Sequence, residues 1–338
     1  WGRGATSVDL AGELLAVAVP GDRAAAPGRV VLMTVDGTAV GEVTVAPGPD
    51  MLAFAPDGRT IVVACEGEPD DRGIVDPEGV VCVIDLAAGV AALTDERVTW
   101  LDFREFNDRP IAGLHPGRPH ATRAMNFEPE SVTFSENGRL AWVSLQESNA
   151  LALIDMASPR IVGVYGLGTK DHGRAGAGID PSDRDEGPEV RPVPVEGLYQ
   201  PDGIACLTLD DGPSLVLTAN EGDPRPGEAV RVRHLDLDPR EFVNPEQLKR
   251  PDEIGRLHVS AHVGDDEGDG MHDRLVSFGG RSISVRDAYG RVLWDSGDEI
   301  ERYLATHHPE LFNLGEDYDS EPDARSDDCG PEPETIRL

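Results

Sequence analysis

Short apolar runs alternate with polar turns along this chain, and three of the runs share one pattern. The stretches 49–59, 129–139 and 201–212 each begin with a proline and an acid, continue through alternating apolar residues and end on an Asp-Gly or Asn-Gly pair. Alternation at period two before such a pair is the strongest short-range signal for a β-hairpin. A fourth copy begins at Pro333 and runs to Leu338. The pattern predicts a repeated unit that starts with a hairpin.

The second half of each unit repeats as well. Further apolar runs follow the turns, as second strands at 60–68, 140–148 and 214–223 and as third strands at 79–86 and 150–156. Strand, tight turn, strand, polar loop and strand make three quarters of a four-stranded propeller blade. Repeats of roughly 40 residues built from short strands most often close into a β-propeller.

Weaker units complete the pattern at 5–45, with a turn at Asp36-Gly37, and at 274–294, with a turn at Tyr289-Gly290. Counting these, the sequence predicts five blades and the opening of a sixth. We therefore predict an all-β fold, a β-propeller of about six or seven blades in the full protein. Residues 1–338 are expected to form a single domain whose last blades are incomplete, and the start at Trp1 is expected to follow a removed leader.

Polar insertions interrupt the strand pattern at about 166–196, 224–273 and 296–330. The first is where a substrate or partner is expected to be recognised, because loops on a rigid scaffold usually carry that role. Short helices are predicted in the others, at 245–250 behind the cap Asn244 and at 298–308 before Pro309. The second helix would place Ile300, Tyr303 and Leu304 on one face.

Charge adds a constraint on partners. The chain has 63 acidic against 30 basic residues among 338, a formal net charge of −33. Such a surface repels nucleic acid and anionic membranes and attracts cations. No run approaches the roughly 20 apolar residues of a membrane helix, so no membrane insertion is expected. Many of the acids would serve only as a solvated surface.

The sharpest chemical motif is the acidic loop, residues 265–273. Acids occupy its relative positions 1, 3, 5 and 9, glycine occupies position 6, and the carbonyl of position 7 is a further oxygen. This spacing is typical of a calcium loop of EF-hand type, although position 12 is Val276 rather than a bidentate acid. The predicted Ca²⁺ ligands are Asp265, Glu267, Asp269, Met271 and Asp273. If the loop binds calcium, His272 is expected to point outward, because calcium prefers oxygen ligands. The alternative is an acidic surface loop.

The propeller axis is a second candidate ion site, because equivalent positions of a repeat form rings around it. Two such sets carry polar residues, namely Asp50, Glu130, Asp202 and Glu334, and then Glu66, Gln146 and Glu221. Carboxylates that face a narrow channel repel one another and must share protons or a cation. Calcium is the predicted occupant, and the alternative is that these acids only cap strand ends. The cluster 316–323 is expected to be a solvated loop, with another ion site as the alternative.

Four cysteines are present, an even number that is compatible with an oxidising compartment. Cys65 and Cys82 fall in neighbouring predicted strands, where directly opposed residues can come close enough to bridge. A disulfide and a pair of buried thiols are equally consistent with the sequence.

Several phrases together resemble the choice-of-anchor I family, and the resemblance runs from Gly4 to the last residues. The phrases are Pro49-Asp50-Met51-Leu52, Asp76-Pro77-Glu78-Gly79, Gly168-Thr169-Lys170-Asp171-His172, Tyr199-Gln200-Pro201-Asp202, Thr218-Ala219-Asn220-Glu221-Gly222-Asp223, Ser277-Phe278-Gly279-Gly280-Arg281-Ser282 and Gly330-Pro331-Glu332-Pro333-Glu334. This family includes relatives of the mesenchyme-specific cell-surface glycoprotein of sea urchin. The resemblance implies a secreted, periplasmic or surface-anchored β-propeller, with calcium handling or biomineralisation as the role suggested for its animal members.

The resulting prediction is an extracellular or cell-surface calcium-binding propeller, without catalysis, that interacts with a surface or matrix partner. Some members of the family carry an alkaline phosphatase label, so a calcium-dependent phosphoesterase is the alternative and a lactonase-type hydrolase a further one. The phosphoesterase requires basic groups beside the axial acids. Its candidates are Lys170, His172 and Arg281, with Arg123 and Arg174 on the rim. No nucleophile elbow or zinc motif is present.

Overall fold

Four-stranded antiparallel sheets follow one another along the first half of the chain. The computed structural model describes residues 4–70, 72–209, 212–315 and 321–338. In the first three sheets, each strand pairs with its neighbour in chain order. The strands are β1 (Ser7–Ala11), β2 (Leu14–Val19), β3 (Pro27–Thr34), β4 (Ala39–Pro47), β5 (Pro49–Phe54), β6 (Thr60–Cys65), β7 (Val80–Asp85), β8 (Val98–Asp102), β9 (Pro129–Phe134), β10 (Leu140–Leu145), β11 (Ala150–Asp155) and β12 (Arg160–Gly166).

The hairpins predicted at the Asp-Gly and Asn-Gly pairs of the second and third sheets are confirmed. In each, the glycine adopts a left-handed conformation, with φ of 63° at Gly58 and 65° at Gly138. The preceding side chain, Asp57 or Asn137, accepts a hydrogen bond from the backbone N–H two residues later. Both turns need the glycine because a side chain at positive φ is strained.

The second half of the chain contains nine further strands. They are β13 (Thr169–Asp171), β14 (Glu196–Leu198), β15 (Ile204–Thr208), β16 (Ser214–Asn220), β17 (Ala229–Arg231), β18 (His258–Ser260), β19 (Val276–Ser277), β20 (Ser282–Arg286) and β21 (Val292–Asp295), counted over the described residues. They form two sheets, of which only one has the order of a blade.

The fourth blade is discontinuous in sequence. Its strand order is β15-β16-β20-β21, and β16 pairs with β20 through partners as far apart in the chain as Asn220 and Ser282. The prediction of a separate fifth blade at 274–294 is therefore wrong. That hairpin is the outer half of the fourth blade. Its pairing with β16 could not be predicted, because partners 62 positions apart in the chain leave no local signal in the sequence.

The remaining sheet is built largely from the first two predicted insertions. Its order is β13-β14-β19-β18-β17, and β14 and β19 run parallel. A separate apolar cluster lies beside it and includes Ile179, Val193, Val232, Leu257 and Val259, all almost fully buried. These insertions are thus packed structure with a core of their own.

Helices are short in the described residues. The α-helices are α1 (Arg123–Asn126), α2 (Pro245–Leu248) and α3 (Glu299–His307), and the 3-10 turns are Val90–Ala92, Asp95–Arg97, Arg104–Phe106, Val232–His234 and Pro309–Leu311. No helix in the part of the chain that the structure describes is long and apolar enough to cross a membrane.

Both predicted helices form, but with different local roles for their residues. Asn244 precedes α2 with φ of 54° and makes no side-chain cap hydrogen bond. In α3 the buried residue is Glu301, whereas Tyr303, one of the three apolar residues predicted to share a face, is 57% exposed. Glu301 is buried because its carboxylate binds Arg281 at 2.8 Å.

The innermost strands of successive blades contact one another in the order β1, β5, β9 and β15. Next to β15, the backbone N–H of Gly203 donates to the Glu334 carbonyl at 2.8 Å, so the segment 335–338 continues the series. Together these elements surround a cavity of about 540 Å³. Blades whose inner strands line one central cavity make this fold a β-propeller.

Apolar clusters fill the space between neighbouring blades. One cluster joins the first and second blades, another the second and third, and a third the third and fourth. The largest buried side chain, Trp142, packs in the last of these and donates its indole N–H to the Ala288 carbonyl at 3.0 Å.

The four cysteines carry free thiols, so the structure has the thiol alternative and no Cys65–Cys82 disulfide. The register explains this. Cys65 pairs with Val80 and Cys82 with Val63, which makes the two cysteines diagonal neighbours instead of directly opposed residues. Both are completely buried.

Candidate functional site

The first set of axial acids lies at the starts of the innermost strands. Asp50 is in β5, Glu130 is in β9, Asp202 lies two residues before β15, and Glu334 lies beside Gly203. The pKa of Asp202 is raised to about 6, mainly by burial and to a lesser extent by the charges of Asp50 and Glu334. The repeat thus brings these four positions into one electrostatic environment.

The second set lies where the second strands end. Gln146 donates from Nε2 to Glu221 Oε2 at 2.7 Å, which joins the third and fourth blades. Burial, followed by the charge of Asp50, raises the pKa of Glu66 to about 10. Burial likewise raises the pKa of Glu221 to about 7, although Gln146 opposes the shift. Of the three positions predicted to be equivalent, Gln146 and Glu221 are therefore in direct contact.

Glu130 and Glu147 are the most enclosed of the axial acids. Only 8% of Glu130 and 7% of Glu147 is exposed. The Oε2 atom of each is buried and accepts no hydrogen bond from any residue that the structure describes. Burial raises the pKa of Glu130 well above its ordinary value, and the charges of Glu147 and Glu66 add to it. Sequence reasoning missed Glu147 because it lies in a turn, at a position where the second blade has Gly67.

A buried arginine partly neutralises this cluster. Arg225 binds Glu128 through Nε at 2.6 Å and lies 3.7 Å from an oxygen of Glu147 and of Glu228. Arg118 binds the other oxygen of Glu128 at 3.0 Å. Burial alone would lower the pKa of Arg225, but Glu147, Glu128 and Glu228 raise it. Neither arginine was predicted, since both come from loops outside the repeat.

Next to Arg225, three residues resemble the acyl-transfer triad of serine hydrolases. His115 Nε2 lies 3.0 Å from Ser260 Oγ, and its Nδ1 lies 3.7 Å from Glu228 Oε2. Ser260 is 0% exposed, so its hydroxyl cannot reach a substrate in this conformation. Burial, followed by the charge of Arg225, lowers the pKa of His115 to about 3. The group is a buried polar contact between the loop that carries His115 and the end of β18.

The acidic loop is held by its own side chains. Asp265 accepts backbone hydrogen bonds from Gly268 at 2.7 Å, Asp269 at 3.1 Å and Gly270 at 3.0 Å. Asp269 accepts one from Met271 at 2.9 Å. Asp265 and Asp269, two of the predicted calcium ligands, thus stabilise the turn through their side chains.

Two of the predicted ligands converge with a third acid that the sequence did not reveal. One oxygen each of Asp238, Glu267 and Asp273 lies within 4.8 Å of the others, and in the described parts of the chain no other group of three or more potential ligands is this close. The guanidinium of Arg240 binds two of these acids, with Nε 2.7 Å from Asp238 and Nη2 2.8 Å from Glu267. Asp238 was missed because it lies 27 positions before the loop.

Asp265 and Asp269 lie outside this three-acid group, and His272 does not point outward as predicted. Its Nδ1 is buried without a partner among the described residues, and its ring lies against Gly264. The backbone of His272 pairs with that of Leu237, which brings Asp238 beside the loop.

The basic residues predicted for a phosphoesterase bind other partners inside the protein. Lys170 Nζ binds the Gly280 and Gly297 carbonyls and Asp295 at 3.1 Å. Burial lowers the pKa of Lys170, and Asp295 opposes this. Arg281 binds Glu301 and three backbone carbonyls. Both cations are fully engaged inside the protein.

His172 lies in the same buried network. Its Nδ1 is 2.8 Å from the Ala177 carbonyl, and its Nε2 is buried without a partner in the described chain. Burial, followed by the charge of Lys170, lowers the pKa of His172 to about 3. The two rim candidates also have partners. Arg174 forms an ion pair with Asp171 at 3.0 Å, and Arg123 donates a hydrogen bond to the Phe106 carbonyl.

The acids of the 166–196 insertion are largely used for internal contacts. Asp180 is fully buried and accepts a backbone hydrogen bond from Glu189 at 2.6 Å, and Asp183 binds Arg256. Of the acidic stretch 316–323, residues 316–320 lie outside the described residues. In its remainder, burial raises the pKa of Asp323 to about 6.

The residues of one cleft connect the axial acids with solvent. The cleft has a volume of about 790 Å³ and is lined by Asp50, Glu66, Glu68 and Asp70 among others. Burial raises the pKa of both Asp50 and Glu68. A cavity lined by acids raises the local concentration of cations.

Comparison with known proteins identifies the family of this chain. The sequence model of the choice-of-anchor I domain matches residues 2–338. The chain belongs to this family. The resemblance seen in the motifs is therefore confirmed, and membership indicates a surface-associated protein.

Curated relatives of this choice-of-anchor I domain include two animal proteins. Gigasin-3a of Magallana gigas is 39% identical over 90 residues, which are 25% of this chain and 31% of that protein. The mesenchyme-specific cell surface glycoprotein of Strongylocentrotus purpuratus is 25% identical over 293 residues, 71% of this chain and 37% of that protein. The chain thus spans about a third of the length of the curated relatives it matches.

Solved structures that match the choice-of-anchor I domain do so at low sequence identity. Hydrazine synthase of Kuenenia stuttgartiensis is 12% identical with a TM-score of 0.40, covering 84% of this chain and 51% of that one. The β-propeller domain of Cps50 (Swd1) from Myceliophteria thermophila is 13% identical with a TM-score of 0.30, covering 48% and 43%.

Proposed function

We propose that this choice-of-anchor I domain is a calcium-binding propeller at the cell surface or outside the cell, where it serves surface interaction or ion handling without catalysis. The observation that carries the proposal is the convergence of Asp238, Glu267 and Asp273. Two of these acids lie in the loop whose spacing already predicted a calcium site. Family membership and the similarity to a glycoprotein named for the cell surface support the location.

The donor set suits calcium better than other ions. Three carboxylates offer hard oxygens, which Ca²⁺ takes in sets of six to eight with flexible geometry, whereas Mg²⁺ demands a near-octahedral site. Asp265, Asp269 and the Met271 carbonyl belong to the same loop and are proposed as further ligands. With the net charge of −33, the protein concentrates cations near its surface.

Arg240 is proposed to act as a tethered competitor for the calcium ion. Its guanidinium binds Asp238 and Glu267, but the side chain is 59% exposed and can turn into solvent. An arriving divalent ion must displace it. Removing the positive charge should therefore strengthen calcium binding.

The phosphoesterase alternative receives no support from the positions of its candidate groups. Lys170 and Arg281 bind partners in the protein, and the triad-like Ser260 is fully buried. The role proposed here is consequently that of a binding module with a cell-surface or matrix partner.

The experiment is calorimetric titration of calcium and, separately, magnesium into chelator-treated protein. We expect saturable calcium binding that Asp273→Asn weakens about tenfold or more and Arg240→Met strengthens, because one removes a ligand charge and the other a competing charge. Asp266→Asn is the matched control, since Asp266 lies in the same loop but binds Arg274 at 2.8 Å. Equal affinity in all four proteins, or no calcium binding, would refute the loop site.

A further inference from the structure

The chain contains four Asp–Pro bonds, which follow Asp76, Asp180, Asp223 and Asp238. Such a bond is open to attack from within, because the aspartate carboxyl can reach its own backbone carbonyl carbon and close a small ring. A group that is held next to its target reacts far faster than the same group free in solution. The surroundings of the four bonds therefore decide which of them can break.

At Asp180 the backbone carbonyl is bound by a buried cation. Its oxygen accepts a hydrogen bond from Arg281 Nη1 at 2.8 Å, and Arg281 is 2% exposed. A charged donor in a site without water stabilises the negative charge that develops on this oxygen when the carbonyl carbon is attacked. The Asp238 carbonyl, by contrast, accepts from the neutral backbone N–H of Phe242.

The side chain of Asp180 is positioned against the same bond. Its Oδ1 accepts from the Ser182 N–H at 3.3 Å, an Asx turn that folds the carboxyl over the Asp180–Pro181 peptide. Its Oδ2 accepts from the Glu189 N–H at 2.6 Å, and the residue is fully buried. The attacking group and the carbonyl that it would attack are therefore both fixed by the fold.

The carboxyl of Asp180 also keeps its proton at a pH where an ordinary aspartate has lost it. Burial raises the pKa of Asp180 to about 7, although the hydrogen bond from the Glu189 N–H opposes the shift. The charges of Asp323 and Asp185 add to the increase. A proton is thus available for the leaving nitrogen.

Glu301 joins this bond to a source of water. Its Oε2 accepts from the Asp180 N–H at 3.2 Å, and its Oε1 binds Arg281 at 2.8 Å, so the two charges at the bond balance. Glu301 Oε1 also accepts from Asn313 Nδ2 at 3.1 Å, and Asn313 lines a cavity of about 270 Å³. A polar cavity of this size has room for water.

We propose that the Asp180–Pro181 bond cleaves itself in mildly acidic solution and converts the protein into a two-chain form. The Asp180 carboxyl oxygen bonds to the backbone carbonyl carbon, and Arg281 binds the oxygen that becomes negative. The carboxyl proton moves to the Pro181 nitrogen as the carbon–nitrogen bond breaks, which leaves a cyclic anhydride at residue 180 and a free amine at Pro181. One water molecule then opens the anhydride to the two carboxyl groups of a C-terminal aspartate.

The two chains would stay associated after cleavage. β13 lies before the bond and β14 after it, and the strands pair from Thr169 with Leu198 to Asp171 with Glu196. The cleavage therefore changes the covalent continuity of the protein while the fold holds both parts. It does not depend on calcium binding by the acidic loop.

The test is incubation of the whole chain at about pH 5, in buffer and separately in urea, with the fragments measured by denaturing electrophoresis and mass spectrometry. At this pH a carboxyl with a pKa of about 7 is protonated, whereas an ordinary aspartate with a pKa of about 3.9 is mostly ionised. In buffer we expect fragments 1–180 and 181–338, formed at least about tenfold faster than the fragments from the other three Asp–Pro bonds. In urea this preference should disappear, because all four carboxyls are then equally solvated.

Asp180→Asn and Pro181→Ala should each slow the cleavage at least about tenfold, because one removes the attacking carboxyl and the other the tertiary amide that breaks. Pro77→Ala is the matched control and should leave the cleavage after Asp180 unchanged, since there Arg118 binds the carboxylate of Asp76.

Equal rates at the four bonds in buffer, or no fragment that ends at Asp180, would overturn the proposal. The same preference for this bond in urea would also overturn it, because the fold would then play no part. The comparison of buffer with urea uses the wild type, so it decides the matter even if Asp180→Asn does not fold.

Discussion

Arg225 is the residue on which three buried glutamates depend. It is 5% exposed and lies within 2.6 Å of Glu128 and 3.7 Å of Glu147 and Glu228. Replacing one partner of a buried ion pair leaves the other charge uncompensated, which costs about 3–5 kcal/mol. We expect Arg225→Met to lower the free energy of unfolding by this amount, as measured by urea titration.

Arg118→Met is the matched comparison for that prediction. Arg118 binds Glu128 and Asp76, but its side chain is 23% exposed, so water can take over part of its role. The loss of stability should be clearly smaller than in Arg225→Met. Equal losses would contradict the importance of burial at Arg225.

His172 predicts a dependence of stability on pH. Its pKa is lowered to about 3 by burial, while in the unfolded chain it is about 6.5. The unfolded state therefore binds the proton first, and stability is lost as pH falls from 6.5 towards 3. We expect wild type to lose about 1.5 kcal/mol more than His172→Asn between pH 6.5 and 5.

The asparagine is chosen because its amide can replace the Nδ1–H donor to the Ala177 carbonyl. Comparing the two proteins cancels the opposite contribution of Asp180, whose pKa burial raises to about 7. Urea unfolding at several pH values measures the difference. Parallel pH profiles of the two proteins would mean that folding does not lower the pKa of His172.

At the scale of elements, the C-terminal segment depends on one glycine. A Cβ added at Gly203 would lie 2.3 Å from the Glu334 carbonyl, which accepts the Gly203 N–H. We expect Gly203→Ala to push the segment 335–338 away from β15, because the backbone at Glu334 leaves no room. Hydrogen exchange at the amide of residue 203, which donates to the Glu334 carbonyl, should then be at least about tenfold faster.

Gly173→Ala serves as the control for Gly203→Ala. Its added Cβ would approach the carboxylate of Asp171 at 3.0 Å, and the side chain of Asp171 is exposed and can move. Exchange at the Gly203 amide should stay unchanged in this variant. Wild-type exchange in Gly203→Ala would show that the segment does not need close contact with β15.

The elements that the sequence predicted are those with local signals. Hairpins at Gly58 and Gly138 follow from a few neighbouring residues, and the repeat then placed the axial acids in equivalent positions. The fourth blade could not be assembled this way, because β16 pairs with a strand beyond a long insertion. For the same reason Arg225 and Asp238 were missed, since the acids that make each of them part of a cluster, Glu128 for Arg225 and Glu267 and Asp273 for Asp238, are distant in the sequence.

Across the whole molecule, the net charge of −33 predicts that salt stabilises the fold. Self-repulsion destabilises a compact state, and raising ionic strength shortens the Debye length from about 10 Å at 0.1 M to about 3 Å at 1 M. We expect the unfolding temperature in chelator to rise by about 2 °C or more between low and 0.5 M potassium chloride.

Choline chloride at equal concentration separates screening from site binding. Its cation is too large for a carboxylate cage, so an equal rise in both salts would indicate screening. A rise in potassium chloride alone would instead point to bound ions. A flat response in both would contradict the importance of self-repulsion in this acidic protein.

The divided fourth blade also governs the order in which the chain can acquire its structure. The first three sheets are contiguous, so each can form as soon as its own residues have left the ribosome. β15 and β16 must wait for a partner 62 positions further on, with their edge unpaired in the meantime. Contacts of long sequence separation form slowly, and open strand edges invite misassembly. Synthesis therefore has its most vulnerable interval after residue 220, until β20 is made.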